Sequence, residues 1–349
     1  MNRDSMIYVA GHTGLVGSAI VRSLETKGYR HILTRSRDEV DLMSQEQTRR
    51  FFVDNPIEYV FLAAAKVGGI MANSTQQGDF IYENLVIAMN VIRAAQEFGA
   101  KKLLNLGSSC IYPRQAPQPI REEYLLSGPL EPTNEGYAIA KIAALKMCRY
   151  FNEQYGTNFL SVMPTNLYGP GDSHDLKNSH VLPGLIRKFH LGKLLAEGRR
   201  EAIAADINRH EPGQCSTFSE CLEWLRNHGI TKDAITLWGS GQPRREFLHV
   251  DDLAEATVFL MKHYNANDIG EVINIGVGED ISICELAVMI REAVGYAGKI
   301  TWDSTKPDGM PRKLLDVSRI RKLGWQPTVP LAEGIACSYQ SYLIFGAFR

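Results

Sequence analysis

The sequence predicts an α/β fold: a doubly wound parallel sheet with a smaller α/β domain interleaved into it. Three observations predict it. Short apolar runs alternate with segments of helical spacing through the first half, a glycine-rich turn joins the first run to the first helix, and the rhythm breaks after about residue 167. At 349 residues the chain can bury a large core and has room for two domains. With 44% apolar and 22% charged residues and a formal net charge of −1, it carries no overall field for nucleic acid. An anionic ligand must instead be met by a few placed cations.

The elements follow in order. Met6 to Ala10 is an apolar run that stops at a glycine. Leu15 to Thr26 has Val16, Ile20, Val21 and Leu24 at helical spacing and ends at Gly28. His31 to Thr34, Tyr59 to Ala64, Lys102 to Leu106 and Phe159 to Val162 read as further strands. Phe80 to Phe98 and Gly136 to Tyr155 read as long helices between them. Continuous short strands alternating with helices imply a parallel sheet covered on both faces. Beyond residue 167, loops rich in Gly, Pro and His lead into a charged stretch from about 193 to 235. There Thr217 and Glu220 form a capping box, Phe218, Cys221, Leu222 and Leu225 share a face, and Gly229 is the stop, so an inserted helical element is expected. Glu271 to Ile275 rejoins the sheet. The expected division is residues 1–166 with about 243–278 in one domain, and about 167–242 with 279–349 in the other.

The N-terminal residues hold no apolar run of signal-peptide length, and no stretch is long enough to span a bilayer. Six cysteines without a Cys-x-x-Cys or a compact framework are expected to be free thiols in a reducing, cytoplasmic setting. His210, Cys215, Cys221 and His228 lie in the inserted element, but their spacing fits no common zinc pattern and no metal is expected.

Gly11-His-Thr-Gly14-Leu-Val-Gly17 sits between the first strand and the first helix. Glycines there allow a tight turn and close backbone approach, and a helix N-terminus favours a pyrophosphate. The sheet is therefore expected to be of Rossmann type, with Gly11, Thr13, Gly14, Leu15, Val16 and Gly17 lining a dinucleotide. Where an NAD-selective site would carry an acid after the second strand, the chain reads Thr34-Arg35-Ser36-Arg37-Asp38. Arg37 suits a 2′-phosphate, which favours NADP, and Asp41-Leu42 would meet the adenine edge; a pair of solvated surface arginines is the plain alternative.

Tyr137 and Lys141 stand four residues apart on one face of the Gly136–Tyr155 helix. An ammonium there would favour the phenolate and bring a tyrosine into a useful acid–base range. Ser108-Ser109-Cys110 follows a strand, where ligands of open α/β sheets gather, and a serine hydroxyl there could bond the carbonyl that Tyr137 protonates. Glycine turn, strand-end serine, tyrosine and lysine in this order form the short-chain dehydrogenase/reductase pattern.

Longer motifs sharpen the resemblance. Leu106–Pro113, Glu131–Glu135, Met163–Gly169, Asn178–Val181, Trp238–Gly241, Arg245–Asp252 and Lys306–Lys313 resemble the GDP-L-fucose synthase family over nearly the whole chain except about 193 to 235. That family epimerises C3 and C5 of a GDP-linked 4-keto-6-deoxy-mannose and reduces C4 with NADPH. The resemblance implies Cys110 as base, His180 as acid, Ser108, Tyr137 and Lys141 as the reductive set, and a homodimer. It implies cofactor contacts at Lys141, Pro164, Thr165, Asn166, Leu167 and His180, and substrate contacts at Lys188, Trp238, Arg245, Asp308 and Lys313. On sequence context alone Cys110 would be a buried thiol and His180 a helix cap; the motifs reverse both readings. Cys148, on the Tyr137 helix, is expected only to pack. The insertion leaves a related sugar, such as a deoxyheptose, as the alternative substrate; a non-catalytic binding protein is the third reading.

Overall fold

The computed structural model describes residues 1–306 and 308–347. Pro307 of the Lys306–Lys313 motif and residues 348–349 of the expected second domain lie outside the described residues. In chain order, β1 (Met6–Ala10), α1 (Leu15–Thr26), β2 (His31–Leu33), α2 (Gln45–Asp54), β3 (Tyr59–Leu62), α3 (Ile70–Thr75), α4 (Gln77–Glu97) and β4 (Lys102–Leu106) come first. They are followed by α5 (Glu135–Tyr155), β5 (Phe159–Pro164), β6 (Asn166–Tyr168), α6 (Val181–Ala196), α7 (Arg200–His210) and α8 (Phe218–Asn227). Next are β7 (Ala234–Trp238), β8 (Arg244–Arg245), β9 (Phe247–His249), α9 (Val250–His263), α10 (Ala266–Ile269), β10 (Ile273–Ile275) and β11 (Ile281–Ser282). The chain ends with α11 (Ile283–Val294), β12 (Lys299–Asp303), β13 (Arg312–Lys313), α12 (Ser318–Lys322) and α13 (Leu331–Ala347).

Two compact units result. The first takes Met1–Leu167, Glu246–Gly278 and Leu314–Thr328; the second takes Tyr168–Arg245, Glu279–Lys313 and Val329–Arg349. The sequence reading had placed all of 279–349 in the second domain, whereas Leu314–Thr328 groups with the first.

In the first unit a six-stranded sheet runs β10-β5-β4-β3-β1-β2, and every pairing is parallel. The alternation of each strand divides the core. Ile7 and Val9 of β1, Phe61 of β3 and Leu104 of β4 enter one cluster with Ile20 and Leu24 of α1 and Leu253 and Leu260 of α9. Tyr8, Ala10, Val60, Leu62 and Leu103 face the other way, against Phe51 and Phe52 of α2, Val91 and Ile92 of α4 and Cys148 of α5. Both faces being covered, the strands read as unbroken apolar runs. Cys148 packs as expected, 1% exposed.

One polar residue ties this unit together. Glu246 is fully buried; its carboxylate accepts the amides of Gly278 (2.7 Å) and Leu315 (3.0 Å), and its carbonyl accepts the side chain of Asn166 (2.8 Å). Gly276 makes the space, since a Cβ there would lie 2.3 Å from the carboxylate.

The second unit holds a three-stranded sheet ordered β11-β8-β13 and a two-stranded parallel one, β12-β7. The inserted element is a helix pair. Thr217 and Glu220 form the capping box of α8, and Gly229 follows with φ +70°. The buried face of α8 is Cys221, Trp224 and Leu225; the reading from spacing had Phe218 and Leu222 there and missed Trp224.

Candidate functional site

The glycine turn is where the first unit presents backbone. Gly11 has φ +82°, and a Cβ on it would lie 2.7 Å from the Ala64 backbone. A Cβ on Gly17 would lie 2.1 Å from the Gly11 carbonyl, so only glycine lets α1 start this close to the turn. Gly14 is the N-cap of α1 and offers no side-chain cap, leaving the first-turn amides to a ligand or water. Thr13 and Gly14 are exposed, while Leu15 and Val16 are partly buried. His12, between Gly11 and Thr13, has a buried Nδ1 with no partner among the described residues. This cradle fits a dinucleotide pyrophosphate.

After β2, the two arginines part company. Arg35 donates to the Thr34 carbonyl (2.7 Å) and lies over the Phe51 ring, whereas Arg37 stays exposed with Asp41 3.7 Å away. Asp41 also accepts the Met43 amide, and Leu42 packs against the second core cluster. Of these two arginines, Arg37 keeps its guanidinium on the surface.

Ser108, Cys110, Tyr137 and Lys141 come together after β4 and on the first turns of α5. Ser108 caps a short 3-10 turn at Ser109–Ile111 by accepting the Cys110 amide. Its side chain also bonds Tyr137, and Cys110 is close enough to raise the tyrosine pKa further. Lys141 is 8% exposed, donates to the Leu106 carbonyl (2.8 Å), and lies 5.7 Å from the centre of the Tyr137 ring. Phe80 of α4 meets Tyr137 edge-on at 6.3 Å, a contact that no sequence signal announces.

The electrostatics correct one expectation. Burial pushes the Tyr137 phenol well above its ordinary value, Cys110 adding to the shift and the Ser108 hydrogen bond opposing it, while the Lys141 ammonium bonds the Leu106 carbonyl. Burial also lowers Lys141 to about 8. Tyr137 is thus held protonated, as a proton donor must be. Nearby, Thr165 donates its hydroxyl to the Glu246 carbonyl (3.4 Å) and its amide to Ile275 (3.0 Å), so Pro164 to Leu167 is a fixed strand-to-strand bend.

In the second unit His180 is the N-cap residue of α6, but its side chain caps nothing. It keeps exposed surface, while desolvation lowers its pKa from the usual imidazole range. Lys188, two turns on, is lowered to about 8 by burial and donates to the His228 carbonyl (2.8 Å). Arg245 donates to the carbonyls of Arg244 (2.7 Å) and Met310 (2.6 Å) and is desolvated. Lys313 is its register partner across β8 and β13. Asp308 accepts both the amide (2.8 Å) and hydroxyl (2.6 Å) of Ser240, and Trp238 is 66% exposed, with the Lys306 ammonium over its ring at 5.6 Å. An exposed indole beside an ammonium is a surface on which a base can stack. The tempting His and Cys residues of the insertion form no metal-binding group among the described residues.

Comparison with known proteins agrees with this geometry. The model of the NAD dependent epimerase/dehydratase family matches residues 7–206 and 211–276. The rice (Oryza sativa subsp. japonica) protein named "Probable GDP-L-fucose synthase 1" is 49% identical over 343 residues, 98% of this chain and 93% of its own. A GDP-6-OMe-4-keto-L-xylo-heptose reductase from Campylobacter jejuni superposes with TM-score 0.94 at 40% identity, covering 99% of both chains. A GDP-mannoheptose C4 reductase from the same organism, with NADP bound, superposes with TM-score 0.88 at 41% identity over 98% of this chain and 99% of its own. The chain belongs to the NAD dependent epimerase/dehydratase family, and within it to the GDP-L-fucose synthase family.

Proposed function

We propose that the protein converts GDP-4-keto-6-deoxy-D-mannose to GDP-L-fucose, inverting C3 and C5 and then reducing C4 with NADPH. The observation that carries it is the grouping of Ser108, Cys110, Tyr137 and Lys141 in a chain 49% identical to a rice protein bearing the synthase name. When bound, NADPH supplies the hydride that C4 receives. Gly11, Gly14, Gly17 and the α1 amides would hold its pyrophosphate, Arg37 the 2′-phosphate, and Lys141 the ribose hydroxyls.

The C4 ketone acidifies the neighbouring C–H bonds. Cys110 takes the proton from C3 or C5 as base, and His180 returns one from the opposite ring face as acid, inverting each carbon without net redox change. Ser108 bonds the C4 oxygen and orients it toward Tyr137. Tyr137, kept neutral by burial, gives its proton to that oxygen as C4 is reduced. Lys188, Arg245 and Lys313 would meet the diphosphate and Trp238 the base, with Asp308 at the same end. The exposed Tyr82 and Met89 of α4 and Ile139 and Tyr150 of α5 support a homodimer through these two helices. No helix among the described residues is long and apolar enough to cross a membrane.

The test is the reaction in heavy water with NADPH. GDP-fucose carrying deuterium at C3 and C5 is expected; a reduced product without deuterium at either carbon refutes the epimerase half. A second reading, reduction of a GDP-linked deoxyheptose, is favoured by the TM-score of 0.94 to the heptose reductase. Competing both keto-sugars in one mixture and comparing kcat/KM separates the two.

A further inference from the structure

Between α6 and β7 the insertion does more than fill sequence: it grips two adjacent residues of α6. Arg187, 0% exposed, donates Nε to Asp206 of α7 at 2.8 Å, and the other oxygen of Asp206 accepts the Tyr342 hydroxyl of α13. The same guanidinium lies 5.3 Å from the centre of the Trp224 indole on α8. Trp224 in turn stacks on His228 at 3.8 Å and 25°, and the His228 ring donates Nδ1 to the Trp224 carbonyl at 2.8 Å. His228 is the C-cap of α8, and the next residue, Gly229, turns back so tightly that a Cβ would lie 2.8 Å from the Thr236 carbonyl oxygen. The His228 carbonyl is therefore fixed in direction, and it receives the Lys188 ammonium at 2.8 Å.

Lys188 is the part of this arrangement without an evident structural purpose. Its ammonium is mostly buried and, among the described residues, has no carboxylate partner; one backbone carbonyl is the acceptor shown for it. A desolvated cation left without a counter-charge destabilises a fold unless an anion completes it. Arg187, its neighbour, is fully paired, so the two cations have different tasks.

We propose that the α7–α8 insertion is a positioning element for substrate recognition: Trp224 and Asp206, acting through Arg187 and His228, hold the Lys188 ammonium where it meets the diphosphate of a nucleoside-diphosphate sugar. This rests on the reading of Lys188 as a substrate contact. The helix pair supplies no group to the reacting sugar; it sets affinity by restricting the rotamers of one long side chain, whose freedom is otherwise lost on binding.

The experiment measures GDP affinity by calorimetry, and steady-state kinetics with the keto-sugar and NADPH, on the full chain. The proteins are wild type, Lys188→Met, Trp224→Ala, Trp224→Phe and the double variant Lys188→Met/Trp224→Ala. Lys188→Met should weaken GDP binding about tenfold or more, the scale of one charge-assisted contact. Trp224→Ala should weaken GDP and raise the sugar KM by about fivefold or more, with kcat and the NADPH KM little changed, and Trp224→Phe should restore most of the loss. In the Lys188→Met background Trp224→Ala should add nothing. Additive losses, or kcat and the NADPH KM moving together with the sugar KM, overturn the inference and leave the insertion a structural brace. An unchanged GDP affinity in Lys188→Met instead refutes the substrate reading of Lys188 itself. Should Trp224→Ala fail to fold, hydrogen exchange decides: GDP should protect the α8 amides in wild type and not in Lys188→Met, and equal behaviour in both overturns the inference.

Discussion

Tyr137 illustrates what a single residue does and does not reveal. Its spacing from Lys141 is plain in the sequence, because four residues place two side chains on one helical face. The sign of its pKa shift is not, because that depends on burial, which pairwise spacing does not report. Cys110 and His180 are also legible only through motifs; nothing about a lone thiol or a helix-cap imidazole marks it as a base or an acid. Tyr137→Phe should lower kcat for C4 reduction at least about 100-fold while deuterium still washes into C3 and C5 in heavy water; loss of both would remove the separation of roles. Replacing Arg37 with Ser should narrow the preference for NADPH over NADH by about tenfold, read from the two kcat/KM values. Lys141 and Lys188 both have folded pKa values near 8, below the ordinary lysine value. Between about pH 8 and 10 the unfolded chain therefore holds more protons, and stability from these groups rises with pH. Thermal midpoints measured across that window should climb more steeply in wild type than in Lys188→Met.

At the scale of elements, legibility follows length and punctuation. β1, α1 and β4 are bounded in the structure as the apolar runs suggest, since glycine and polar flanks stop each one. The α8 capping box is readable from two residues, but α7 is not, having only Ile203 and Ile207 to mark a buried face on a polar stretch. β8, β11 and β13, at two residues each, are too short to show alternation. Thr217→Ala should cost about 1 kcal/mol by removing one half of the box, seen as a lower urea midpoint with an unchanged slope. Gly17→Ala is expected to be far worse, because its Cβ would sit 2.1 Å from the Gly11 carbonyl oxygen. The NADPH KM should rise about tenfold or more in whatever fraction folds, with the sugar's affinity little altered.

For the whole molecule, the parallel sheet was readable and the partition of the chain was not. Leu314–Thr328 carries no pattern that assigns it to the first unit; a backbone amide bound to a distant buried carboxylate does. Assembly belongs to this scale too. Tyr82→Glu with Met89→Glu would put two charges on the exposed apolar face of α4; on the proposal of a homodimer through α4 and α5, sedimentation should find wild type dimeric and this variant a folded monomer. The unit boundaries fall at 167/168, 245/246, 278/279, 313/314 and 328/329, so the chain changes unit five times. Glu246 stands at the second of these points and binds Asn166, Gly278 and Leu315, which lie beside three of the others. Topologically the second unit is a set of loops whose ends are nearly all knotted at one carboxylate and its carbonyl. It cannot be cut out as one continuous segment. Replacing Glu246 with Gln should therefore loosen four of these five crossings together.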